Sequence, residues 1–97
     1  MVGQELMKAE VVEIVRGLMP SADVVRVDVE PKTDSGGDAS LAVRIVTQQR
    51  PPREETARLA EVVDKFRTWL IAHDDERFPY FRLLSEDEER EVERADS

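Results

Sequence analysis

The side chains best suited to acid–base chemistry stand together in one short stretch. His73 is the only histidine in the chain, and Asp74 and Asp75 follow it directly. A carboxylate beside an imidazole can orient the ring for proton transfer from a serine nucleophile. Three serines are candidate nucleophiles: Ser21, Ser35 and Ser40. None of them stands in the strand-to-helix turn that exposes such a nucleophile. We therefore predict that His73 caps a helix end, and we assign no catalytic residue.

A second candidate site is the acidic turn from Asp34 to Asp38, which reads Asp-Ser-Gly-Gly-Asp. Carboxylates around glycines can bind a hard cation, but a calcium loop also needs alternating ligands and a distant bidentate glutamate. The turn is not a phosphate loop either, because no helix follows it directly and no lysine is placed to meet phosphate. We predict an Asx-type turn with glycine at positive φ, and we expect neither a metal nor a cofactor.

Composition narrows the classes of function. The chain has 97 residues, of which 40% are apolar, so it forms one small domain. Its 22 acids and 14 bases give a net charge of −8, which argues against a general nucleic-acid binder or a protein of anionic membranes. There is no cysteine, no long apolar run and no secretory signal pattern. We expect a cytoplasmic protein.

The sequence predicts two amphipathic helices, which would position the side chains of a functional site. The first is predicted over residues 5–19 and ends before Pro20, and the second over residues 53–73 begins just after Pro52. The apolar stripe of the first helix is Met7, Val11, Ile14, Val15 and Leu18. The stripe of the second is Leu59, Val62, Val63, Phe66, Trp69 and Leu70.

Three segments are predicted to be strands. Apolar and charged residues alternate over residues 25–30, which places Val25, Val27 and Val29 on one face. Residues 41–46 alternate in the same way, and the turn between the two segments predicts a hairpin. Residues 80–84 form a short apolar third strand. Pro31 marks a strand end or a sheet edge, since it cannot donate to a ladder.

These elements predict a two-layer α+β domain over residues 1–84. The order is α-β-β-α-β, with an antiparallel hairpin, a third strand and both helices on one face of the sheet. With the third strand beside the first, the second strand would be an exposed edge that can pair with another copy or with a partner. Residues 85–97 form an acidic tail or a marginal helix, because Ser85 and Glu88 match a capping box but few apolar residues follow.

All five aromatic residues lie between positions 66 and 81: Phe66, Trp69, Phe78, Tyr80 and Phe81. The ordinary interpretation is a core cluster between the second helix and the third strand. Some of these residues could instead anchor a partner. A base-stacking platform is a third alternative, but such platforms lie in positive grooves, and acids interrupt this stretch.

We expect binding on the charged face of the sheet, with the tail attracting a basic protein partner. The candidate partner-binding residues are Arg26, Asp28, Glu30, Arg44, Tyr80, Arg82, Glu86, Asp87, Glu88 and Glu89.

Two stretches carry a family resemblance. The first runs through Val27-Asp28-Val29 and Asp34-Ser35-Gly36-Gly37-Asp38 into Ala39-Ser40-Leu41-Ala42-Val43, and the second is Phe78-Pro79-Tyr80-Phe81-Arg82. They resemble small bacterial α/β proteins that have an acidic D-S-x-G-D hairpin loop and a late Y-x-R strand, and that look like companions of nuclease-type toxins. The chain departs from that pattern after Arg82. The resemblance implies a non-enzymatic, antitoxin-like protein-binding role and assigns no catalytic residue.

The order of elements is also similar to type II KH-like domains, which bind RNA. The glycine-centred loop and the basic surface that support RNA binding are missing from this sequence. An RNA-associated domain therefore stays as the alternative to a regulatory module that binds a basic protein, and we expect nucleic acid not to be the main partner.

Overall fold

The computed structural model describes residues 2–96 and has the predicted α+β fold. Its elements in chain order are α1 (Gln4–Leu18), β1 (Val24–Thr33), β2 (Ala39–Thr47), α2 (Arg53–Thr56), α3 (Leu59–Ala72), β3 (Phe78–Ser85) and α4 (Glu86–Asp96). Helices α1 and α3 contact each other and pack on one face of a three-stranded sheet. None of the helices within residues 2–96 has the length and apolar character needed to cross a membrane.

The core lies between this helical layer and the sheet. The predicted stripes supply it, since Met7, Val11 and Val15 of α1 are fully buried. The corresponding residues of α3 are Val62, Phe66 and Leu70. The Phe66 ring stacks on Trp69 and meets Phe81 edge-on, with both pairs of ring centroids 5.7 Å apart. This part of the aromatic cluster is a core cluster, as expected, whereas Phe78 and Tyr80 are exposed.

The sheet order corrects the expected strand pairing. β1 and β2 form the predicted antiparallel hairpin, but β3 pairs with β2 in parallel, so β2 is the central strand. The exposed edges are therefore β1 and β3 and not the second strand. β2 suits the centre because Leu41, Val43 and Ile45 are buried on one face and Val46 on the other. Pro31 lies on an edge strand, as its missing N–H requires.

A β-bulge overturns part of the predicted alternation in β1. Val24 pairs with Thr47 and Arg26 pairs with Val46, so Val25 has no partner on β2. Because of this extra residue, Val25 points away from the face that the alternation predicted for it. Its side chain is about half exposed, at 49%. Val27 and Val29 face the core as predicted.

The single helix predicted over residues 53–73 is broken between α2 and α3. Ala57 and Arg58 form the turn, and the N–H of Arg58 donates to the carbonyl of Glu55 at 2.9 Å. Both sides of this break are attached to the end of α1. The Arg58 guanidinium donates to the Leu18 carbonyl at 3.0 Å, and the Ser21 N–H donates to Glu55 Oε1 at 2.8 Å. The break therefore lets two side chains hold the turn that follows α1.

Of the two alternatives for the acidic C-terminus, the structure has the helix. Both halves of the predicted capping box are present at its start. The Glu88 N–H donates to Ser85 Oγ, and the Ser85 N–H donates to Glu88 Oε1, each at 3.2 Å. α4 contacts β3 and β2.

Candidate functional site

The candidate site is the outer sheet face, by which we mean the side of the sheet opposite α1 and α3. Strand register places Asp28, Arg44 and Arg82 in one row across the three strands. The next row places Glu30 beside Ala42 and Tyr80. The structure therefore brings together the six predicted sheet residues: Arg26, Asp28, Glu30, Arg44, Tyr80 and Arg82.

One end of the outer sheet face holds α4 through a shared carboxylate. Glu89 Oε2 accepts hydrogen bonds from Arg26 Nη2 and from Arg44 Nη1, the latter at 3.5 Å. Glu89 is only 8% exposed. Arg26 also donates to Asp28 at 2.7 Å. The ion pairs with Glu89 and then Asp28 raise the pKa of Arg26 further above its ordinary value.

A second ion pair holds the first turn of α4. Arg50, in the connector after β2, donates from Nη1 to both carboxylate oxygens of Glu88, each at 3.0 Å. The hydrogen bond from the Ser85 backbone lowers the pKa of Glu88, and Arg50 lowers it further. Glu88 thus caps its own helix and ties that helix to the end of β2.

Two apolar residues lie at this end of the outer sheet face. Val46 and Leu84 are register partners on β2 and β3, and both are buried although they lie outside the core cluster. Together with the three arginines that bind α4 they form what we call the α4 seat: Arg26, Arg44, Arg50, Val46 and Leu84.

The rest of the outer sheet face is an open groove of about 530 Å³. Its lining includes two carboxylates, Asp28 and Glu30, four cations, Lys8, Lys32, Arg44 and Arg82, and also Ala42 and Tyr80. Tyr80 is 51% exposed, and its ring centroid lies 5.0 Å from that of Phe78. Among residues 2–96, Arg82 has no ion-pair partner. An exposed aromatic side chain therefore stands among charges of both signs.

The predicted tail residues divide between two surroundings. Glu88 and Glu89 face the α4 seat, whereas Asp87 is exposed and pairs with Arg90 of the same helix. Glu86 is half-buried at the helix start. Sequence reasoning missed the role of Arg50, although the capping box gave a usable signal. The capping box predicted a helix that starts where β3 ends. In the structure that point lies beside the end of β2, which Arg50 follows.

His73 has the predicted capping role. It is the C-cap residue of α3, and its Nδ1 forms a hydrogen bond with the Trp69 carbonyl at 2.8 Å. Asp75 does not face this ring and is instead 3% exposed, with its carboxylate 2.6 Å from Arg77 Nη2. The hydrogen bonds from Arg77 lower the pKa of Asp75. This ion pair fixes the turn into β3 and was not predicted.

The acidic hairpin loop is the predicted Asx turn. Asp34 Oδ1 accepts hydrogen bonds from the N–H groups of Gly36 at 2.9 Å and Asp38 at 3.0 Å. Gly37 has a φ of 85°, which glycine adopts without strain. Across residues 2–96, no three or more His, Cys, Asp or Glu side chains are grouped so that they could hold a metal ion.

Comparisons with known proteins assign no family. No family model, no curated protein and no solved structure matches this chain. Its function must therefore be inferred from the geometry of the outer sheet face.

Proposed function

We propose that the protein is a non-enzymatic interaction module that binds a basic partner protein in the open groove. The observation that carries this proposal is the exposure of Tyr80 on the edge strand β3 of the outer sheet face, with about half of its surface in water. His73, the one imidazole, caps α3 and does not line the groove.

Tyr80 has the properties of a binding anchor. Tyrosine is enriched among the residues that dominate interface energies, because it buries a large surface at a small entropic cost. Phe78 supports its ring from the same strand. A lysine or arginine of a partner can also lie over the tyrosine ring, where the electrostatic field of the ring attracts a cation.

Charge favours a basic partner. The protein carries a net charge of −8, and such a field accelerates the encounter with a cationic surface. The groove itself is lined by two carboxylates, Asp28 and Glu30, and by four cations, Lys8, Lys32, Arg44 and Arg82, so the attraction comes from the net charge of the whole chain. On α4, the side chains of Glu91 and Glu93 are exposed to solvent. These exposed carboxylates contribute to the negative charge that attracts a basic partner.

The resemblance to companions of nuclease-type toxins supports the same class of function, because such companions bind another protein. It makes a small basic protein the first partner to look for. The β1 and β3 edges also offer a route to a homodimer through strand pairing.

One observation favours the RNA-associated alternative. Arg82 lies two residues after Tyr80 on the same face of β3, and it has no ion-pair partner within the part of the chain that the structure describes. A cation beside an exposed aromatic ring is a combination that binds a stacked base and its phosphate. Binding to RNA at low salt that disappears at moderate salt would mark this as a weak electrostatic interaction.

Co-purification from the native cell, followed by mass spectrometry, tests the proposal. The comparison is between the wild type, Tyr80→Ala and the control Ile71→Ala. Ile71 is 55% exposed but lies on α3, so the two variants truncate half-exposed side chains on different surfaces.

We expect one basic protein to be enriched by the wild type and by Ile71→Ala, to be lost with Tyr80→Ala, and to bind directly when purified. Equal recovery by all three chains would place the binding surface elsewhere. Recovery that disappears after nuclease treatment would favour the RNA-associated alternative.

A further inference from the structure

We propose that Arg44 and Arg82 form an anion clamp in the open groove, and that its ligand is a carboxylate of the partner protein. The clamp rests on the proposed function for the partner, which is a protein that is basic overall. It adds that this protein presents an aspartate, a glutamate or a chain-terminal carboxylate to the groove. Arg82 then selects among basic proteins.

The two arginines lie side by side on the outer sheet face. Arg44 and Arg82 are register partners on the parallel strands β2 and β3, and neighbouring strands lie about 4.8 Å apart. Both residues line the open groove. Like charges that face each other on neighbouring strands repel, and an anion held between them would replace this repulsion by two attractions.

The chain does not supply this anion fully. Arg44 shares the Glu89 carboxylate with Arg26, and its own contact with that carboxylate is long, at 3.5 Å. Arg82 has no ion pair with any residue from 2 to 96. The two carboxylates that line the groove each pair with a cation of their own strand, β1. The position between the two arginines is therefore open to a carboxylate from outside.

The groove has room for such a ligand beside the arginines. In the row next to theirs, Ala42 lies between Glu30 and Tyr80, and its short side chain leaves space above the central strand. Tyr80 lies two residues before Arg82 on β3, so their side chains are on the same face. A carboxylate bound by Arg82 has the Tyr80 ring beside the apolar part of its own side chain.

The clamp accounts for the local charge of the groove. Its lining has four cations against two carboxylates, whereas the whole chain has a net charge of −8. Long-range attraction brings a basic protein to the molecule, but the position between the arginines favours a negative group. Arginine suits a carboxylate because its planar guanidinium can donate two parallel hydrogen bonds. A basic protein with one well-placed carboxylate meets both requirements.

The binding of two model peptides tests the clamp. Both peptides have blocked ends, four lysines and two leucines, and they differ only at the central residue, which is glutamate in one and glutamine in the other. The glutamine peptide carries one positive charge more, so net charge alone predicts that it binds more tightly. The clamp predicts the reverse, with the glutamate peptide binding the wild type about fivefold more tightly.

Arg82→Gln should abolish this preference. Arg82 is exposed, so its replacement leaves the core intact. The matched control is Arg53→Gln, which removes the same charge from an exposed position on α2 and should keep the preference. The clamp is overturned if the wild type binds both peptides equally, if it binds the glutamine peptide more tightly, or if the preference survives in Arg82→Gln.

Titration with sodium acetate at constant ionic strength tests the clamp without a peptide. The side-chain Nε–H resonances of Arg44 and Arg82 should shift in a saturable way, and that of Arg53 should not. Inorganic phosphate is the second arm, because it represents the RNA-associated alternative. Equal responses at all three arginines would contradict the clamp. Saturation by phosphate at about a tenth of the acetate concentration would contradict the carboxylate as its ligand.

These results separate the clamp from the proposed function. If both peptides bind the wild type equally and both are lost with Tyr80→Ala, the groove still binds a basic partner and only the clamp is wrong. A failed co-purification would count against the proposed function, whereas the acetate titration uses this chain alone and would still decide whether the two arginines bind a carboxylate.

Discussion

Arg26 and Glu89 are 63 positions apart in the chain, and their side chains form an ion pair across the outer sheet face. The same Glu89 oxygen accepts a hydrogen bond from Arg44 on the neighbouring strand. One carboxylate thus joins the last helix to both strands of the hairpin. It also divides the outer sheet face into the covered α4 seat and the open groove.

This relationship predicts a salt-dependent stability effect at Glu89. Glu89→Gln keeps the shape of the side chain but removes its charge, so it should lower the free energy of unfolding by about 1 kcal/mol at low salt. The difference from the wild type should shrink at about 1 M NaCl, because salt screens the ion pairs. Urea denaturation measures both values. Glu91→Gln, on the exposed side of α4, is the matched control, and an equal effect at both positions would contradict the role of Glu89.

The buried ion pair of Asp75 predicts a pH effect with a definite sign. The folded-state pKa of Asp75 lies below its unfolded value, so the ionised carboxylate stabilises the folded state. That stabilisation is complete above the unfolded-state pKa of about 4 and is lost as the pH falls through the folded-state pKa.

Asp75→Asn should therefore cost about 1.5–3 kcal/mol at neutral pH, and the cost should diminish toward about pH 2. Denaturation at a series of pH values measures it. Asp74→Asn is the control, because Asp74 is exposed and its positive φ suits asparagine. A cost for Asp75→Asn that does not change with pH would show that packing rather than charge is lost.

The centre of the core predicts the largest stability loss. Phe66 is fully buried and contacts two other aromatic rings. Phe66→Ala should cost about 3–5 kcal/mol, a large part of the roughly 5–15 kcal/mol that stabilises a small domain. Thermal unfolding measures this loss, with Lys65→Ala on the exposed side of the same helix as the control. An unchanged melting temperature for Phe66→Ala would mean that α3 presents another face to the sheet.

Two glycines should respond in opposite directions to alanine. Gly37 has a φ of 85°, so Gly37→Ala should destabilise the hairpin by about 1–2 kcal/mol. Gly17 lies in α1, and a Cβ there would meet nothing within 4 Å, so Gly17→Ala should stabilise the protein by about 0.5–1 kcal/mol. The two melting temperatures, compared with the wild type, test the backbone conformation at each site. A shift of the same sign for both would contradict it.

Local patterns predicted the elements that pack locally. The stripe of α1, the hairpin and the Asx turn all follow from residue spacing and turn chemistry, and each is present. The capping role of His73 could also be predicted, because it depends only on the position of the residue relative to the end of its own helix.

Contacts between segments that are distant in the chain could not be predicted from the sequence. Nothing in the sequence of β3 distinguishes pairing with β1 from pairing with β2, since its apolar alternation suits either neighbour. The docking of α4 depends on Glu88 and Glu89 meeting arginines from three separate segments, and a run of acids looks the same whether it is solvated or paired. The bulge at Val25 was not predicted for a related reason. The valines alternate regularly in the sequence, and the change of register arises only from the pairing of β1 with β2.

The central claim is that the open groove binds a basic protein through Tyr80. Its most direct test is the equilibrium affinity of the purified partner for the wild type, for Tyr80→Ala and for Ile71→Ala. Loss of an interface anchor costs about 2 kcal/mol or more, so we predict that Tyr80→Ala weakens binding by about 30-fold while Ile71→Ala leaves it unchanged. Equal affinity of Tyr80→Ala and the wild type would contradict the claim.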